Sequence, residues 1–363
     1  MRILQVCQDS YGETGGISVH VRNISERLAR RHDVTVYAAN FESRLPRFEW
    51  KNGVRVERFD SLAPSNAYFF SLDMLLRMRK IDFDVVHGHG YHAFPMHFAS
   101  LTRCDKFVVT THFHGVGHSP FRNCLVKLFK PVGKRTLTKA DAIIAVSEYE
   151  KRLLNDQFRS ARDKVVVIPN GVDFGEFSGL KKKNRGFRSL LYVGYLLGYK
   201  GAQYLVEVLP RLPDDVILEI VGVGPLKPHL ERRANELGVS LRVRFYQDLT
   251  RRELLQRYFD SDVFVLLSEH EAYSLVVAEA LTAGTPCIVA NTSALSEWVD
   301  NESCFGVDFP ISMRDLAEKI ESVLEKGFDR TALGKWIGTK IPDWNEVTQR
   351  VESVYLHGIR TED

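Results

Sequence analysis

The stretch S-E-H-E-A-Y-S-L-V-V-A-E-A-L-T-A-G-T-P-C-I-V-A-N at residues 268–291 decides which fold the sequence predicts. An apolar run at residues 262–267 precedes it, too short for a helix, and residues 286–290 are predicted to form a second buried strand. Between the two, residues 274–283 are predicted to form a short helix that ends at Gly284. A strand, a loop, a helix and a second strand in this order are typical of a parallel α/β sheet.

Two glutamates, Glu271 and Glu279, lie in this unit with seven residues between them. Glu271 follows the strand at the sheet edge where open α/β sheets bind ligands, and Glu279 lies roughly 8 Å further along the helix. Two acceptor groups at that separation can hold opposite ends of one extended polar ligand. The free N–H groups near residues 272–275 favour an anion between them. The alternative is a pair of solvated surface glutamates.

Size and composition allow two domains with good cores. The chain has 363 residues, a net charge of +3 and 44% hydrophobic residues, which are values of an ordinary globular protein. No apolar run reaches the ~20 residues that span a membrane, and the N-terminus lacks a signal-peptide layout. The five cysteines have no metal-binding spacing and are predicted to be reduced, so we expect a cytoplasmic protein.

The first half of the chain alternates strands and helices. A strand at residues 3–7, a loop with three glycines, a helix over 17–28 and a strand at 34–38 open a Rossmann-like domain. The loop lacks the GxGxxG pattern, so a dinucleotide site has little support. Glycines before a helix still favour an anion site, with a plain tight turn as the alternative. Further strands are predicted at 55–59, 84–87, 107–111, 142–146 and 165–168.

Two loops that follow predicted strands carry clusters of histidines. These are His87, His89, His92, His112, His114 and His118. A His-x-His pattern on extended chain places both rings on one side, which suits a metal. Neither loop has a nearby Asp, Glu or Cys to complete a ligand set, so we interpret these histidines as hydrogen-bonding residues of a polar cleft.

A basic segment at residues 121–139 interleaves six lysines and arginines with apolar residues. Such a segment can lie on an anionic membrane surface, or it can be a solvated helix face. Nucleic acid is a weaker interpretation, because no recognition motif accompanies the charges.

The second half repeats the strand and helix alternation after a polar, basic stretch, and we place an interdomain linker over residues 173–186. Lys200 lies at a glycine-rich turn between a strand and a helix, where it can meet a phosphate, although a lone surface lysine is more often only solvated. A strand at 216–221 leads into a G-x-G-P segment at 222–225, and an amphipathic helix is predicted over 344–357.

These segments resemble the motifs of family 4 of the retaining GT-B glycosyltransferases, in the family order. The most specific is the E-x7-E segment, which is matched by Glu271, Leu275, Glu279, Ala280, Gly284 and Pro286. Ala272, Tyr273 and Ser274 stand where the family usually has Gly, Phe and Gly. Further matches are Gly15-Gly16, the D-V-V-H-x-H segment at 84–89, the T-x-H segment ending at His112, I-P-N-G-V-D at 168–173, and Lys200-Gly201.

The resemblance implies an α/β protein with the GT-B fold, in which two Rossmann-like domains face each other across a cleft. Residues 1–172 would form the acceptor-side domain, residues 187–343 the nucleotide-sugar-binding domain, and residues 344–363 would pack back on the first. The implied reaction moves a hexose from a nucleotide diphosphate sugar to a carbohydrate or lipid-linked acceptor. It needs no cofactor and no metal, and peripheral contact with the inner face of the membrane would pass through residues 121–139.

The resemblance also implies roles for single residues. Glu279 bonds the nucleotide ribose, Glu271 bonds sugar hydroxyls, Lys200 and the amides of Gly15-Gly16 stabilise the leaving diphosphate, and His112 orients the sugar. The remaining donor-side residues are Tyr195, Gly222, Gly224, Ala272, Tyr273, Ser274 and Leu275, and those assigned to the acceptor side are His89, His114 and Asn170. Tyr195 stands where the family has an arginine that shares the diphosphate, and a phenol is a neutral single donor.

Three alternative functions stay open at this point. A GT-B epimerase would turn over a nucleotide sugar without an acceptor. A nucleotide-sugar-binding protein without activity is suggested by Tyr195. Hydride transfer is disfavoured by the missing GxGxxG pattern.

Overall fold

The structure, a computed structural model, describes residues 1–11, 15–40, 45–62, 69–117 and 120–359, with the backbone alone over 120–126 and at 128. The described chain divides into two compact units. The first is Met1–Asn170 together with the chain from Trp344 onward, and the second is Gly171–Asp343. Each unit is organised around its own parallel sheet.

Fourteen strands and twelve α-helices make up the described elements. The strands are β1 Arg2–Val6, β2 Asp33–Asn40, β3 Phe48–Lys51, β4 Val54–Asp60, β5 Asp82–His89, β6 Arg103–Thr110, β7 Ala142–Ala145, β8 Val165–Val167, β9 Arg188–Val193, β10 Val216–Val221, β11 Val243–Tyr246, β12 Val263–Leu266, β13 Cys287–Ala290 and β14 Cys304–Val307. The helices are α1 Gly16–Leu28, α2 Leu72–Met78, α3 Phe94–Ala99, α4 Pro120–Lys139, α5 Glu148–Gln157, α6 Ala202–Val208, α7 Lys227–Glu236, α8 Arg251–Asp260, α9 Leu275–Thr282, α10 Met313–Lys326, α11 Arg330–Ile337 and α12 Trp344–His357.

The first sheet has the strand order β3-β4-β2-β1-β5-β6-β7-β8, and its pairs are parallel except for β3 with β4. Asn52 and Gly53 join these two strands, both with positive φ angles of 49° and 81°. An Asn-Gly pair in this conformation matches the twist of a two-residue hairpin. The sequence analysis did not use that signal and missed β3.

Helix α12 packs on the first unit, with Trp344, Val347, Val351 and Tyr355 buried. The hydroxyl of Tyr355 lies 3.0 Å from Nε2 of Gln5 in β1 and 2.6 Å from Nδ1 of His87 in β5. The end of the chain therefore contributes a polar side chain to the carboxyl half of the first sheet.

The second sheet has the order β11-β10-β9-β12-β13-β14, and all its pairs are parallel. The opening stretch forms the predicted unit of β12, α9 and β13. The prediction that Gly284 ends α9 is confirmed, because α9 ends at Thr282, Ala283 caps it, and Gly284 follows with a φ of 72°. A Cβ at this position would lie 2.2 Å from the carbonyl oxygen of Arg330, so the close approach of α11 also requires glycine.

Residues 173–186, which we predicted as a linker, are attached to the second sheet. Phe174–Phe177 form a turn of 3-10 helix, and Lys182 and Arg185 pair with carboxylates of Asp262 and Glu219. The basic composition that suggested a solvated linker is thus explained by ion pairs with the sheet.

Two further sequence predictions concern the whole chain. Cys7, Cys104, Cys287 and Cys304 are free thiols, and Cys7 and Cys287 are buried as predicted from their apolar surroundings. Within the described ranges, none of the helices combines the length and the apolar character needed to cross a bilayer.

Candidate active site

Lys200 is positioned by the turn between β9 and α6. It ends a short 3-10 helix, and Gly201 follows with a φ of 80°. A Cβ on Gly201 would lie 2.2 Å from the carbonyl oxygen of Leu267, so only glycine lets this turn approach the end of β12 so closely. The N–H of Glu269 also donates to the carbonyl of Tyr199 at 2.8 Å. The two loops at the carboxyl edge of the second sheet are therefore held together.

This approach brings Lys200 and Glu271 into contact, with Nζ 2.7 Å from Oε1. Their side chains are only 18% and 15% exposed. Burial by itself lowers the pKa of Lys200, but the Glu271 carboxylate and Tyr199 outweigh that effect, so the pKa is raised. The lysine stays charged at neutral pH, and the pair places a cation beside an acceptor carboxylate.

The loop that carries Glu271 is fixed on its other side. The N–H of Glu271 donates to the hydroxyl of Ser293 at 3.0 Å, and the carbonyl of Tyr273 accepts from the indole of Trp298 at 2.8 Å. Ser274 then precedes α9 with a φ of 85°, a left-handed conformation that L-residues other than glycine rarely adopt. This geometry accounts for the glycine that the resembled family has there.

The start of α9 lacks a side-chain cap. The hydroxyl of Ser274 makes no cap bond and, among the described residues, has no hydrogen-bond partner although it is buried. The N-terminal N–H groups of α9, preceded by Ala272 and Tyr273 and beginning at Leu275, are left for another acceptor. An anion or a sugar hydroxyl beside Glu271 would satisfy them.

Glu279 is buried in α9, and its carboxylate is paired. Arg251 at the start of α8 donates to Oε1 of Glu279 at 2.6 Å and to Glu176 at 2.8 Å. Burial raises the pKa of Glu279, and the ion pair with Arg251 opposes that rise. The sequence analysis treated Glu279 as a free acceptor and did not identify Arg251.

The loops after β9 and β10 pack on each other through glycine. A Cβ on Gly222 would lie 1.9 Å from the carbonyl oxygen of Gly194, and one on Gly224 would lie 2.5 Å from that of Leu196. Both predicted donor-side glycines therefore have a packing role. Tyr195 lies in the same loop with 46% of its surface exposed, so the phenol stands at the solvent surface of this edge.

In the first unit, Gly15 precedes α1 and Gly16 begins it, while residues 12–14 of the same loop lie outside the described ranges. A Cβ on Gly16 would meet none of the described atoms within 4 Å. Packing inside the described part of the chain therefore does not require this glycine, which is compatible with the close approach of a ligand.

His112 follows β6 in a left-handed conformation with a φ of 47°. Glu150, fully buried in α5, holds the residues on both sides of it, because its carboxylate accepts from the hydroxyl of Thr111 and the N–H of Phe113. The N–H of Val146 donates to the same carboxylate at 2.7 Å. Glu150 is thus a positioning residue for His112 that no motif in the sequence revealed.

The three predicted acceptor-side residues lie in two separate places. His89 lies near His112, with ring centroids 6.3 Å apart, and Asn170 accepts from Nδ1 of His20 at 2.7 Å. The ring of His20 in turn lies 5.1 Å from that of His112. His114 is not in this group and stacks on His92 at 4.8 Å. His118 lies outside the described residues.

His20 was missed because it is not in either histidine loop. It lies on α1, one turn after the Gly15-Gly16 pair, and a helix that begins at the sheet edge carries its first-turn side chains toward that edge. That position is the signal in the sequence that could have identified it.

Two family models match the chain, and together they cover most of it. Glycosyltransferase Family 4 matches residues 14–176, and Glycosyl transferases group 1 matches residues 175–336. The two matches meet close to the boundary between the two compact units.

Relatives and solved structures agree with the family models. An uncharacterized glycosyltransferase of Methanocaldococcus jannaschii is 28% identical over 313 residues, 79% of this chain and 80% of the relative. Glycogen synthase of Mycobacterium tuberculosis is 28% identical over 384 aligned residues, 96% of this chain and 92% of the relative. Sucrose-phosphate synthase from Thermosynechococcus elongatus has a TM-score of 0.80 at 19% identity, over 98% of both chains. Anabaena HepE in complex with UDP-glucose has a TM-score of 0.74 at 19% identity, over 98% of this chain and 99% of that chain.

Proposed function

The chain belongs to the family 4 glycosyltransferases and has their GT-B fold, and we propose that it transfers a hexose from a nucleotide diphosphate sugar with retention of the anomeric configuration. The proposed acceptor is a carbohydrate or a lipid-linked glycan. As an enzyme of this family it transfers a sugar from a nucleotide sugar; the hexose, the acceptor and the stereochemistry are the proposal.

The contact between Lys200 and Glu271 carries the proposal. In a nucleotide sugar, the phosphate that leaves is bonded to C1 of a ring that carries hydroxyl groups. A cation and an acceptor carboxylate 2.7 Å apart match that arrangement, because Lys200 can meet the phosphate while Glu271 accepts from a sugar hydroxyl. We propose that the donor exchanges the mutual ion pair for these two contacts.

The start of α9 supports the same placement of the donor. Its unsatisfied N–H groups and the unpartnered hydroxyl of Ser274 lie next in the chain after Glu271. Glu279, one and a half turns further into α9, is proposed to accept from the ribose hydroxyls, and Arg251 opposes the rise in its pKa that burial causes. Tyr195 is proposed as a neutral donor to the diphosphate, so Lys200 carries more of its charge.

The proposed reaction breaks the bond between C1 and the phosphate oxygen and forms a bond between C1 and the acceptor oxygen on the same face. The acceptor proton passes to an oxygen of the leaving phosphate, and Lys200 stabilises the negative charge that develops there. His112 is proposed to bond the transferred sugar. Burial keeps the pKa of His112 well below its usual value, so at neutral pH the ring is a neutral hydrogen-bonding group.

A peripheral membrane contact through α4 is proposed for a lipid-linked acceptor. The described part of the predicted segment exposes Lys127, Lys130, Lys134 and Arg135, with Val132 44% exposed between them. The side chains of 120–126 and 128 lie outside the description. Lys130→Glu with Lys134→Glu should abolish co-sedimentation with vesicles that contain phosphatidylserine, whereas Lys335→Glu should not. Equal sedimentation of all three proteins would refute the contact.

The donor site is tested by a thermal-shift screen with UDP, GDP and ADP and their glucose, mannose and N-acetylglucosamine forms, with and without Mg²⁺. UDP compounds come first because Anabaena HepE was solved with UDP-glucose. A nucleotide at 100 times its dissociation constant adds about 2.7 kcal/mol of stability. Lys200→Met and Glu279→Gln should lose the response, and Lys335→Met, an exposed lysine of α11, should keep it.

Turnover distinguishes the alternative functions. Release of free nucleotide on addition of an acceptor supports transfer. Conversion of the sugar without an acceptor identifies an epimerase, and donor binding without any turnover identifies a binding protein. If no nucleotide stabilises the wild type, or if Lys200→Met and Glu279→Gln respond like wild type, the assignment of the site is wrong.

A further inference from the structure

Three histidine rings of the first unit lie close together, and each has one buried nitrogen without a partner among the described residues. Nε2 of His20, Nδ1 of His89 and Nε2 of His112 are buried and have no hydrogen-bond partner among the described residues. One ring nitrogen of each lies within 4.8 Å of the other two. The rings come from α1, from the end of β5 and from the residues after β6, so three separate elements converge on one point.

The opposite nitrogens of two of these rings are fixed by amide oxygens. Nδ1 of His20 lies 2.7 Å from Oδ1 of Asn170, and Nε2 of His89 lies 2.7 Å from Oε1 of Gln5. An amide oxygen only accepts, so each of these ring nitrogens carries the proton. The inward-facing nitrogens of His20 and His89 are therefore unprotonated.

Further hydrogen bonds continue from the Gln5 amide on the side away from His89. Its nitrogen donates to the hydroxyl of Tyr355 on α12, and that hydroxyl lies 2.6 Å from Nδ1 of His87. Nε2 of His87 lies 2.8 Å from the hydroxyl of Thr110. With the Gln5 nitrogen as donor to Tyr355, the Gln5 oxygen is the acceptor for His89.

We propose that His20, His89 and His112 form a binding site for one divalent transition-metal ion, of the class that imidazole prefers, such as Zn²⁺, Co²⁺ or Ni²⁺. Three neutral histidines and one open position are a known ligand set for zinc in proteins. Ligating histidines typically donate their second nitrogen to an oxygen acceptor, as His20 and His89 do here to Asn170 and Gln5.

The unprotonated nitrogens of His20 and His89 can each bind a metal ion, and a neutral His112 supplies the third ligand through the tautomer that leaves its Nε2 unprotonated.

Binding requires a small closure of the site. A tetrahedral ion with bonds of about 2.0–2.1 Å holds its ligand nitrogens about 3.4 Å apart. The ring nitrogens lie within 4.8 Å of one another, so the rings must approach each other by on the order of 1 Å. His112 can supply this movement, because it follows the strand and is less buried than His20 and His89.

The consequence for activity rests on the proposed function. If His112 bonds the transferred sugar, a metal ion on its Nε2 withdraws that nitrogen from the sugar. Zn²⁺ should then inhibit transfer and EDTA should restore it, while the transfer itself needs no metal.

The site is tested by Co²⁺ titration of the full chain without a polyhistidine tag, after removal of metals with EDTA. The expected result is one equivalent of Co²⁺ with the intense visible absorption of a tetrahedral complex, displaced by Zn²⁺. His112→Gln should weaken binding at least tenfold. Asn170→Ala keeps all three ligands but releases the His20 ring, and should weaken binding about 10- to 100-fold.

The matched control is His97→Gln. His97 is also a buried histidine of the first unit, but both its nitrogens are satisfied, by Thr136 and by the carbonyl of Tyr91. This variant should bind Co²⁺ like wild type, and thermal melts establish that each variant is folded. Absence of a stoichiometric Co²⁺ complex in the wild type, or equal binding by His112→Gln, would overturn the proposal. Metal binding without sugar transfer would leave the site standing and refute only the proposed function.

Discussion

Replacing Glu150 with glutamine should remove a pH dependence of stability that originates in the first unit. The Glu150 carboxyl is fully buried and accepts from Thr111, Phe113 and Val146. Burial is the largest effect and raises its pKa from 4.5 to about 7, although the three hydrogen bonds oppose the rise. The folded protein therefore holds a proton at this carboxyl that the unfolded chain has already released.

The sign follows from that difference in bound protons. An acid with a raised pKa contributes stability that is fully present below the unfolded value near 4.5 and is lost as pH rises through the folded value near 7. With these two pKa values, the free energy of unfolding falls by about 2.5 kcal/mol between pH 5 and pH 8. Glu150→Gln should lack this loss. At pH 5 it should be less stable than wild type by about 1–3 kcal/mol, because an amide nitrogen cannot accept a hydrogen bond. At pH 8 the wild type has lost about 2.5 kcal/mol, so the variant should match or exceed it in stability.

The measurement is urea unfolding of the full chain at pH 5 and pH 8, followed by tryptophan fluorescence. Trp298→Phe and Trp336→Phe leave Trp50 and Trp344, which are both in the first unit, as the only reporters. Glu148→Gln makes the same chemical change at an exposed position of α5 and controls for the lost charge. If the difference between the two pH values is the same in the wild type and in Glu150→Gln, the reasoning is wrong.

Three further predictions concern the second unit. Gly201→Ala should destabilise the chain by at least about 2 kcal/mol in thermal unfolding, because its Cβ would lie 2.2 Å from a carbonyl oxygen. The control is Gly198→Ala, whose Cβ would meet none of the described atoms within 4 Å and which should change stability by less than about 0.5 kcal/mol. Glu219→Gln should cost about 3–5 kcal/mol in urea, because Arg185 loses its buried partner. Burial, the largest single effect, raises the pKa of Glu219, but Arg185, Tyr246 and Arg257 together outweigh it and the pKa is lowered. The stability that Glu219 contributes should therefore be present above pH 4.5 and be lost as pH falls through the folded pKa. Arg251→Gln should cost about 3 kcal/mol, because it leaves a buried carboxylate unpaired, and Arg251→Gln combined with Glu279→Gln should recover part of that loss in a double-mutant cycle.

Strands and helices whose signals come from residues close together in the sequence were predictable. The spacing of apolar residues in 262–290 predicted β12, α9 and β13 within one or two residues, and Gly284 predicted where α9 ends. The GT-B fold was implied only by the resemblance of several segments taken in order, because alternation of strands and helices is shared by many α/β folds.

Contacts between distant segments were not predictable in the same way. Arg251 and Glu279 are 28 residues apart, and Lys200 and Glu271 are 71 apart, so no local period joins either pair. The same holds for His20, which lies near His112 only because α1 begins at the edge of the sheet where β6 ends. In the basic stretch before β9, Lys182 and Arg185 meet carboxylates far along the chain, and composition does not show which carboxylates such cations will meet.

The two glutamates of the E-x7-E segment have the same kind of surroundings. Each carboxylate is shielded from water, and each is held by a cation that enters from a loop or helix start beside α9, Lys200 for Glu271 and Arg251 for Glu279. A buried carboxylate without such a partner tends to take up a proton and then accepts fewer hydrogen bonds. The cations therefore hold both carboxylates in place before a ligand arrives. Hydroxyl groups of a sugar or a ribose then meet acceptors that need no reorganisation, which is the condition under which such contacts contribute most to binding.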